Sequence, residues 1–253
     1  MDLQIVGKTA LVTGASKGIG YAVAAALAAE GARLVVNGRD ERALREAAER
    51  LRAGGAEVHP IAGDVSQSKQ VKALLAATRK VAGEPAILVA NAGGPPTGAA
   101  EELEDAAWAQ GFELTLMSGV RLARGVMPAM KAAGWGRVVF VTSLAVKQPV
   151  KNLTLSNAFR AGVTAYARTL ANEVAEHGVT VNAVAPGWTL TERLESLISD
   201  DYARARLIAT IPAKRFAEPA EVAAAAAYLC SVQAGYVTGQ TLLVDGGLVG
   251  ATY

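Results

Sequence analysis

Three glycines between Thr13 and Gly20, in Thr-Gly-Ala-Ser-Lys-Gly-Ile-Gly, form a pattern that can bind a diphosphate. Because Gly14, Gly18 and Gly20 have no Cβ, the backbone can turn sharply there and approach a ligand closely. An apolar run precedes this turn and an alanine-rich, amphipathic segment follows it, as in a strand that leads through a turn into a helix. The first turn of such a helix offers free N–H groups to an anion. The alternative is a glycine turn without a ligand, since the spacing G-x-x-x-G-x-G departs from the commoner G-x-G-x-x-G.

Ser156 and Arg160 form a second polar group, inside a predicted helix. Residues four apart share one helical face, so both side chains are expected to face the same site. A serine hydroxyl can bind a ligand oxygen, but it is far too weak an acid to serve as a general acid near neutral pH. Arg160 can bind ribose hydroxyls or a carboxylate and, being always charged, cannot relay a proton. Tyr166 lies about 280° around the helix from Ser156, so we interpret it as a packing residue.

The elements that must position these residues alternate along the chain between strand and helix. Strands are predicted at residues 9–12, 33–38, 56–62, 86–90, 137–142, 179–185 and 241–244. Helices are predicted after the glycine turn and at residues 41–53, 69–81, 101–133, 155–177 and 218–232, with a further helix start at 200–201. The alternation predicts an α/β, doubly wound Rossmann fold, with a parallel sheet of about seven strands and helices on both faces. Ligands are then expected at the carboxyl ends of the strands.

Composition limits the class of protein further. The 253 residues contain no linker-like stretch, which predicts a single domain over 1–253. No apolar run is long enough to span a bilayer, and no signal-peptide pattern opens the chain, so a cytoplasmic protein without membrane contact is expected. With 25 basic and 23 acidic residues and no basic block, nucleic acid is not expected as a partner. Cys230 is the only cysteine, which excludes an internal disulfide and suggests a buried, inert thiol; no metal site is expected.

The motifs at the predicted strand ends resemble those of the short-chain dehydrogenase/reductase family along essentially the whole chain. Thr13–Gly20 resembles the family's cofactor turn, and Ser143 stands where the family has its catalytic serine. The carboxy-terminal motifs resemble most the 3-oxoacyl-acyl-carrier-protein reductase branch. The other matching segments are Gly63-Asp64-Val65, Asn91-Ala92-Gly93, the loop from Asn182 to Gly187 with Thr191, Arg215 to Val222, Gly239-Gln240 and Val244 to Gly247.

The resemblance implies a dinucleotide cofactor. The implied binding residues are Thr13, Gly14, Ser16, Lys17, Gly18, Ile19, Gly20, Arg39, Asp64, Val65, Asn91, Ala92, Gly93, Arg160, Pro186, Gly187, Thr189 and Thr191. In this family an acidic residue at the end of the second strand binds the 2′-hydroxyl of NAD, but Asn37-Gly38-Arg39 has no acid there. Arg39 can bind a 2′-phosphate and Lys17 adds a second charge, so NADP(H) is expected to be preferred over NAD(H).

The resemblance also implies four catalytic positions, of which this chain keeps one. Alignment places Ser156 where the family has its tyrosine acid/base, Arg160 where it has the lysine, and Thr115 where it has an asparagine. Ser143 alone is retained. The implied catalytic residues are therefore Ser143, Ser156, Arg160 and Thr115.

Two hypotheses for function follow. The first is an NADP(H)-dependent oxidoreductase with a non-standard acid/base that acts on a small-molecule ketone or alcohol, with 3-oxoacyl compounds as one candidate class. The second is a dinucleotide-binding protein that has lost hydride transfer and serves as a sensor or oligomer partner. A nucleotide-sugar or methyl-transfer enzyme fits the Asn91 and Pro186 loops poorly. The resemblance further implies a substrate lid at about 188–214 and a homotetramer that pairs helices 101–133 and 155–177.

Three side chains near the predicted site can each have either a role in the site or a purely structural one. Lys147 and Lys151 can reach the mouth of the substrate site or be merely solvated. Trp188 can form a wall of the nicotinamide pocket or pack in the core.

Overall fold

β1 (Thr9–Val12) ends at the glycine turn, and α1 (Gly18–Ala29) begins there. The structure is a computed structural model, and it describes residues 2–250. The remaining strands are β2 (Arg33–Gly38), β3 (Val58–Ala62), β4 (Ile87–Ala90), β5 (Gly136–Val141), β6 (Val179–Pro186) and β7 (Thr241–Val244). The other helices are α2 (Glu41–Ala53), α3 (Ser68–Ala82), α4 (Asp105–Gly111), α5 (Ser118–Ala132), α6 (Thr154–Val174), α7 (Glu192–Glu195), α8 (Asp201–Thr210) and α9 (Pro219–Leu229).

The seven strands form one parallel sheet in the order β3-β2-β1-β4-β5-β6-β7. The chain runs outward from β1 to β3 and then returns to the other side of β1 to form β4. This reversal leaves a crevice at the carboxyl ends of β1 and β4, where open α/β sheets bind ligands. The single-domain, doubly wound fold predicted from the sequence is confirmed.

Helices cover both faces of the sheet because successive strand residues point to opposite sides. Ala10 and Val12 pack toward α1, α2 and α9, whereas Leu11 between them packs toward α3, α5 and α6. Cys230, at the end of α9, is fully buried in the first of these layers. Burial raises the pKa of its thiol to about 12, which fits the predicted inert thiol.

Two helix predictions need correction. α1 is not amphipathic, because α9 packs along it and leaves only Ala29 exposed. The single helix predicted over 101–133 begins at Asp105 and is interrupted by a π-helical segment at Phe112–Met117. Periodicity alone misses a π segment of six residues, since so short a stretch is little more than one turn of helix.

Shorter deviations occur at other element ends. β3 begins at Val58 rather than at residue 56, and α9 ends at Leu229. The last turn of the helix predicted to reach residue 177 is a 3₁₀ turn, Ala175–His177. Differences of this size are ordinary, because helix and strand ends fray and tighten.

Segment 188–214 contains the two helices that follow β6, α7 and α8. Thr191 caps the start of α7, and Asp200 caps α8 by accepting a hydrogen bond from the Ala203 backbone N–H at 2.7 Å. A small separate core, formed by Leu194, Ile211 and Phe216 with Trp188 beside them, holds the two helices of the segment together. Among residues 2–250, no helix is long and apolar enough to cross a membrane.

Candidate active site

One cleft of about 560 Å³ lies at the carboxyl ends of the central strands. It runs from the glycine turn, past the end of β2, to the space between α6 and segment 188–214, and its size is typical of a cofactor or substrate site. Most of the predicted site residues line it: Gly14, Ser16, Lys17, Gly18, Ile19, Arg39, Asp64, Val65, Asn91, Ala92, Gly93, Ser143, Ser156, Arg160, Pro186, Gly187, Thr189 and Thr191. Thr13, Gly20 and Thr115 lie behind this lining.

The glycine turn is tight enough that side chains are excluded from it. Gly14 and Gly18 have φ values of +59° and +58°, a region that favours glycine. A Cβ on Gly20 would lie 2.2 Å from the backbone oxygen of Gly14. The first turn of α1 therefore packs directly on the end of β1, and its backbone faces the cleft.

Thr13 and Asn91 hold this turn in place from below. The Thr13 hydroxyl donates to the Asn91 backbone oxygen at 2.7 Å and accepts from the Asn91 N–H at 3.0 Å. The Asn91 side-chain amide donates to the backbone oxygen of Gly14 at 3.1 Å. Thr13 is fully buried and already hydrogen bonded, so its geometry suits positioning the turn better than contacting a ligand.

Basic side chains stand at the end of the cleft next to β2. Arg39 is exposed at the cleft, directly after β2. The neighbouring Asn37 donates its amide to the backbone oxygens of Ile61 and Gly63, so that no acid faces Arg39 from β2. Lys17 pairs with Glu192 of α7, and both side chains are more than half exposed, which makes the pair weak.

Segment 188–214 closes the opposite side of the cleft and touches the glycine turn. A Cβ on Gly18 would lie 3.3 Å from the Thr191 methyl group, so that the start of α7 rests on the turn. Gly187 has no room for a side chain either, because a Cβ there would lie 2.7 Å from the Cα of Asp245. The Thr189 hydroxyl donates to the backbone oxygen of Gly187 at 3.1 Å.

Arg160 reaches from α6 to the carboxyl end of β5. Its Nη1 donates to the backbone oxygens of Val141 and Thr142 at 2.9 and 2.8 Å, and its Nε donates to the Ser156 hydroxyl oxygen at 3.1 Å. The shared helical face predicted for Ser156 and Arg160 is thus confirmed. Burial, with the charge of Arg193 as a smaller cause, lowers the pKa of Arg160 to about 10. The guanidinium therefore stays charged at neutral pH.

Ser143 and Ser156 both have a hydroxyl hydrogen available. The Ser143 oxygen accepts from the Ala145 backbone N–H at 3.2 Å, and the Ser156 oxygen accepts from Arg160. Neither hydroxyl donates to an acceptor within the part of the chain that the structure describes. Both serines line the cleft, so both can donate to an oxygen atom of a ligand.

Thr115 lies behind Arg160, in the π-helical segment. Its hydroxyl is buried without a hydrogen-bond partner in the described part of the chain, and it borders a cavity of about 20 Å³ that Arg160 and Thr142 also line. A cavity of this size can hold one water molecule, which would satisfy the hydroxyl. Thr115 can therefore act on the site through Arg160 rather than by touching a ligand.

Arg193 on α7 is a cleft residue that sequence reasoning missed. Its guanidinium donates to the Pro95 backbone oxygen at 2.9 Å and lies over Gly94, where a Cβ would come within 2.7 Å of its Nε. Burial lowers the pKa of this side chain from its usual value. The only signal in the sequence is its position two residues after Thr191. The apolar walls, Leu144, Val150, Leu153, Leu190 and Leu197, were also not predicted.

The structure shows which of the side chains with two interpretations lie at the cleft. Lys147 and Lys151 are exposed and are not part of the cleft lining. Tyr166 packs edge-on against Phe140 at 6.1 Å between ring centroids, away from the cleft, as its helical angle predicted. Trp188 both lines the cleft and packs on the small core of segment 188–214.

A family model described as enoyl-(acyl carrier protein) reductase matches residues 14–249. The chain belongs to the short-chain dehydrogenase/reductase family. Its relatives in this family include the 3-oxoacyl-(acyl-carrier-protein) reductase FabG of Escherichia coli (strain K12), which is 37% identical over 246 residues, 97% of this chain and 99% of that protein.

Solved structures of family members superpose closely. L-sorbose reductase from Gluconobacter frateurii, complexed with NADPH and L-sorbose, has a TM-score of 0.93 and 36% identity, with 99% of this chain and 100% of that chain covered. A variant of actinorhodin polyketide ketoreductase, with NADPH, has a TM-score of 0.92 and 38% identity over 95% of this chain and 97% of that chain. The family resemblance predicted from the motifs is confirmed, and this chain is a short-chain dehydrogenase/reductase-type oxidoreductase.

Proposed function

We propose that this short-chain dehydrogenase/reductase is an NADP(H)-dependent oxidoreductase that interconverts a ketone and an alcohol without a tyrosine acid/base. The observation that carries the proposal is the continuous cleft that joins the glycine turn to Ser143, Ser156 and Arg160. Relatives described as reductases, and solved relatives with NADPH, support it. A 3-oxoacyl compound is one candidate substrate, because some relatives carry that name and part of the cleft wall is apolar.

The cleft fits a dinucleotide at its glycine end. A Cβ on Gly14 or Gly20 would overlap Asn91 or the Gly14 backbone, and one on Gly18 would touch Thr191, which leaves backbone N–H groups and the start of α1 for a diphosphate. Arg39, which lines this end of the cleft, would bind a 2′-phosphate, and Asp64 and Val65 also line the cleft. Asn91 to Gly93 and Pro186 to Thr191 would hold the other half of the cofactor.

A bound nicotinamide cofactor supplies the hydride or accepts it. The residues of this chain bind and polarise the substrate oxygen: the hydroxyls of Ser143 and Ser156 donate to it, and the Arg160 charge lies directly behind Ser156. Preorganised donors of this kind stabilise the negative charge that develops on a carbonyl oxygen during reduction. Neither serine nor arginine is a suitable proton donor at neutral pH, so we assign that proton to water.

The second candidate is a dinucleotide-binding protein without hydride transfer. It is favoured by the position of Arg160, whose guanidinium is held by two β5 carbonyl oxygens rather than projecting freely into the cleft. NADPH consumption against a panel of carbonyl compounds, run beside a titration of NADPH binding, distinguishes the two. Turnover supports the oxidoreductase; tight NADPH binding with no turnover on a broad panel supports the binding protein.

The preference for NADP(H) is tested at Arg39. We expect Arg39→Ala to raise the Kd for NADPH by roughly 10- to 100-fold, because a charge-assisted contact with the 2′-phosphate is lost. The Kd for NADH should not change. Arg42→Ala is the matched control, since Arg42 is an exposed arginine that pairs with Glu46 outside the cleft lining. Equal affinities of the unaltered protein for NADPH and NADH would contradict the preference.

A homotetramer is proposed from the outer face of α6. Ala158, Ala161 and Ala165 are exposed along one side of this helix. Phe112 on the π segment is 39% exposed, and its ring centroid lies 5.9 Å from that of Phe159 on α6. Small side chains let two copies of a helix approach closely. Light scattering at micromolar concentration should give four times the chain mass of 26.0 kDa, and Ala161→Glu should lower it. Ala29→Glu, on the opposite layer, is the control, and a monomeric mass for the unaltered protein contradicts the proposal.

Two further expectations stay predictions. Segment 188–214 is proposed to act as a lid, because α7 rests on the glycine turn while its own small core lies outside the main sheet. The cytoplasmic location expected from the sequence is likewise a prediction.

A further inference from the structure

The end of the cleft between α6 and segment 188–214, where we propose that the substrate binds, carries positive charge that the protein does not neutralise. Arg160 and Arg193 both line it, and within residues 2–250 no carboxylate oxygen lies within 4.0 Å of a nitrogen of either side chain. The cleft lining contains two acids. Glu192 pairs with Lys17, and an Asp64 oxygen accepts from the Ser66 backbone N–H, so neither serves the two arginines.

Both arginines also have hydrogen-bond donors to spare. Arg160 uses Nε and Nη1, and its Nη2 has no protein acceptor in the described part of the chain. Arg193 donates only through Nη2, to Pro95, which leaves Nε and Nη1 without an acceptor among the same residues. Arg193 is exposed at the cleft, so water solvates its spare donors until a ligand anion replaces that water.

The arrangement at Gly94 shows that the Arg193 guanidinium has a defined place in the cleft. Its Nε, Cζ and Nη2 would all lie within 2.9 Å of a Cβ at position 94, so the absence of a side chain there makes room for this group. The surrounding wall is apolar, with Leu144, Leu153 and Trp188 facing the same space. A ligand that fits has an apolar body and one planar anionic group.

We propose that the substrate of this protein carries a free carboxylate, which Arg193 binds with Arg160 beside it, so that the protein acts on an oxo acid or its hydroxy acid. Arginine suits this role because its planar fork of donors matches the two oxygens of a carboxylate. The proposal rests on the proposed oxidoreductase function, and it makes Arg193 a specificity-determining residue. With Arg193 in this role, the protein should prefer a free oxo acid over a neutral acyl ester or thioester of the same chain length.

The test compares 2-, 3- and 4-oxohexanoic acids with their methyl esters. We expect the unaltered protein to prefer at least one acid over its ester, and Arg193→Met to lower kcat/KM for that acid by roughly 10- to 100-fold while leaving the ester unchanged. Gly94→Ala, which displaces the guanidinium but keeps its charge, should reduce the preference in the same direction. Arg206→Met is the matched control, because Arg206 lies on α8 over the Tyr202 ring and outside the cleft lining.

Two binding measurements keep this inference separate from the proposed function. The first is the Kd for NADPH of each variant. If Arg193→Met raises this Kd and leaves the preference for the acid over its ester unchanged, Arg193 binds the cofactor and the proposal is overturned. If nothing is turned over, calorimetry of the same acids and esters with the NADP⁺-saturated protein decides. Acid binding that depends on Arg193 upholds the inference although the oxidoreductase proposal fails, and equal binding or no binding of acids and esters overturns it.

Discussion

The triple variant Ser156→Tyr, Arg160→Lys and Thr115→Asn is expected to reduce ketones roughly 10²–10⁴-fold faster than the unaltered protein, the range that positioned acid catalysis usually supplies. The reason is that the cleft already brings Ser143 and the proposed cofactor residues together and lacks only a titratable proton donor. A phenol near a lysine can lose and regain a proton close to neutral pH, which a serine next to an arginine cannot do.

The structure indicates that the changes at positions 160 and 115 can be accommodated together. A lysine at position 160 keeps a cation on the same helical face, near the Val141 and Thr142 carbonyl oxygens that now hold the guanidinium. An asparagine at position 115 adds volume beside the cavity of about 20 Å³, where the Thr115 hydroxyl has no partner among residues 2–250. Because Thr115 and Arg160 line one cavity and Arg160 is hydrogen bonded to Ser156, the single changes are not expected to add up to the effect of the triple variant.

The measurement is steady-state NADPH oxidation with a panel of ketones, with two controls. Arg168→Lys makes the same type of change on an exposed turn of α6 and should have no effect. Adding Ser143→Ala to the triple variant should remove the gain, since Ser143 is the remaining donor to the substrate oxygen. If the unaltered protein turns over well and the triple variant abolishes that activity, Ser156 and Arg160 belong to a different mechanism and this prediction is wrong.

Gly20→Ala is expected to raise the Kd for NADPH by roughly 100- to 10,000-fold, equivalent to the loss of two charge-assisted hydrogen bonds. The new methyl group would lie 2.2 Å from the Gly14 backbone oxygen and 2.7 Å from the Asn91 amide nitrogen. Relief of this overlap must move the backbone of the turn that faces the diphosphate. Overpacking of this kind also lowers the free energy of unfolding by about 1–3 kcal/mol.

Gly178→Ala separates the effect on stability from the effect on binding. A Cβ on Gly178 would also lie 2.2 Å from a backbone oxygen, that of Gly134, and its φ of +70° adds strain. This glycine precedes β6, at the end of the sheet opposite the cleft. Both variants should melt at a lower temperature, but only Gly20→Ala should lose NADPH affinity when titrated well below its melting temperature. Equal affinities in the two variants would show that the turn does not hold the cofactor.

Most of the fold followed from local sequence patterns. Apolar runs as short as β1 and β4 are typical of strands buried on both faces, and Gly, Pro and polar residues mark where the helices between them begin and end. The π-helical segment at Phe112–Met117 could not be predicted, because six residues are too few to distinguish a π-helical period from an α-helical one. The α1 helix was wrongly expected to have a solvent face, since only the tertiary structure places α9 against it.

The sequence by itself determined the family, the parallel sheet, the glycine turn and the pairing of Ser156 with Arg160 on one face of α6, because each depends on spacing within a short stretch of chain. Only the tertiary structure decided which polar side chains from distant parts of the chain lie together in the cleft. Arg193 is separated from Pro95 by 98 positions and from Arg160 by a strand and a turn, yet its guanidinium lies over Gly94 in the same cleft. The lack of a carboxylate beside Arg160 and Arg193 could not be predicted from the sequence, because it depends on where the fold places every acidic side chain.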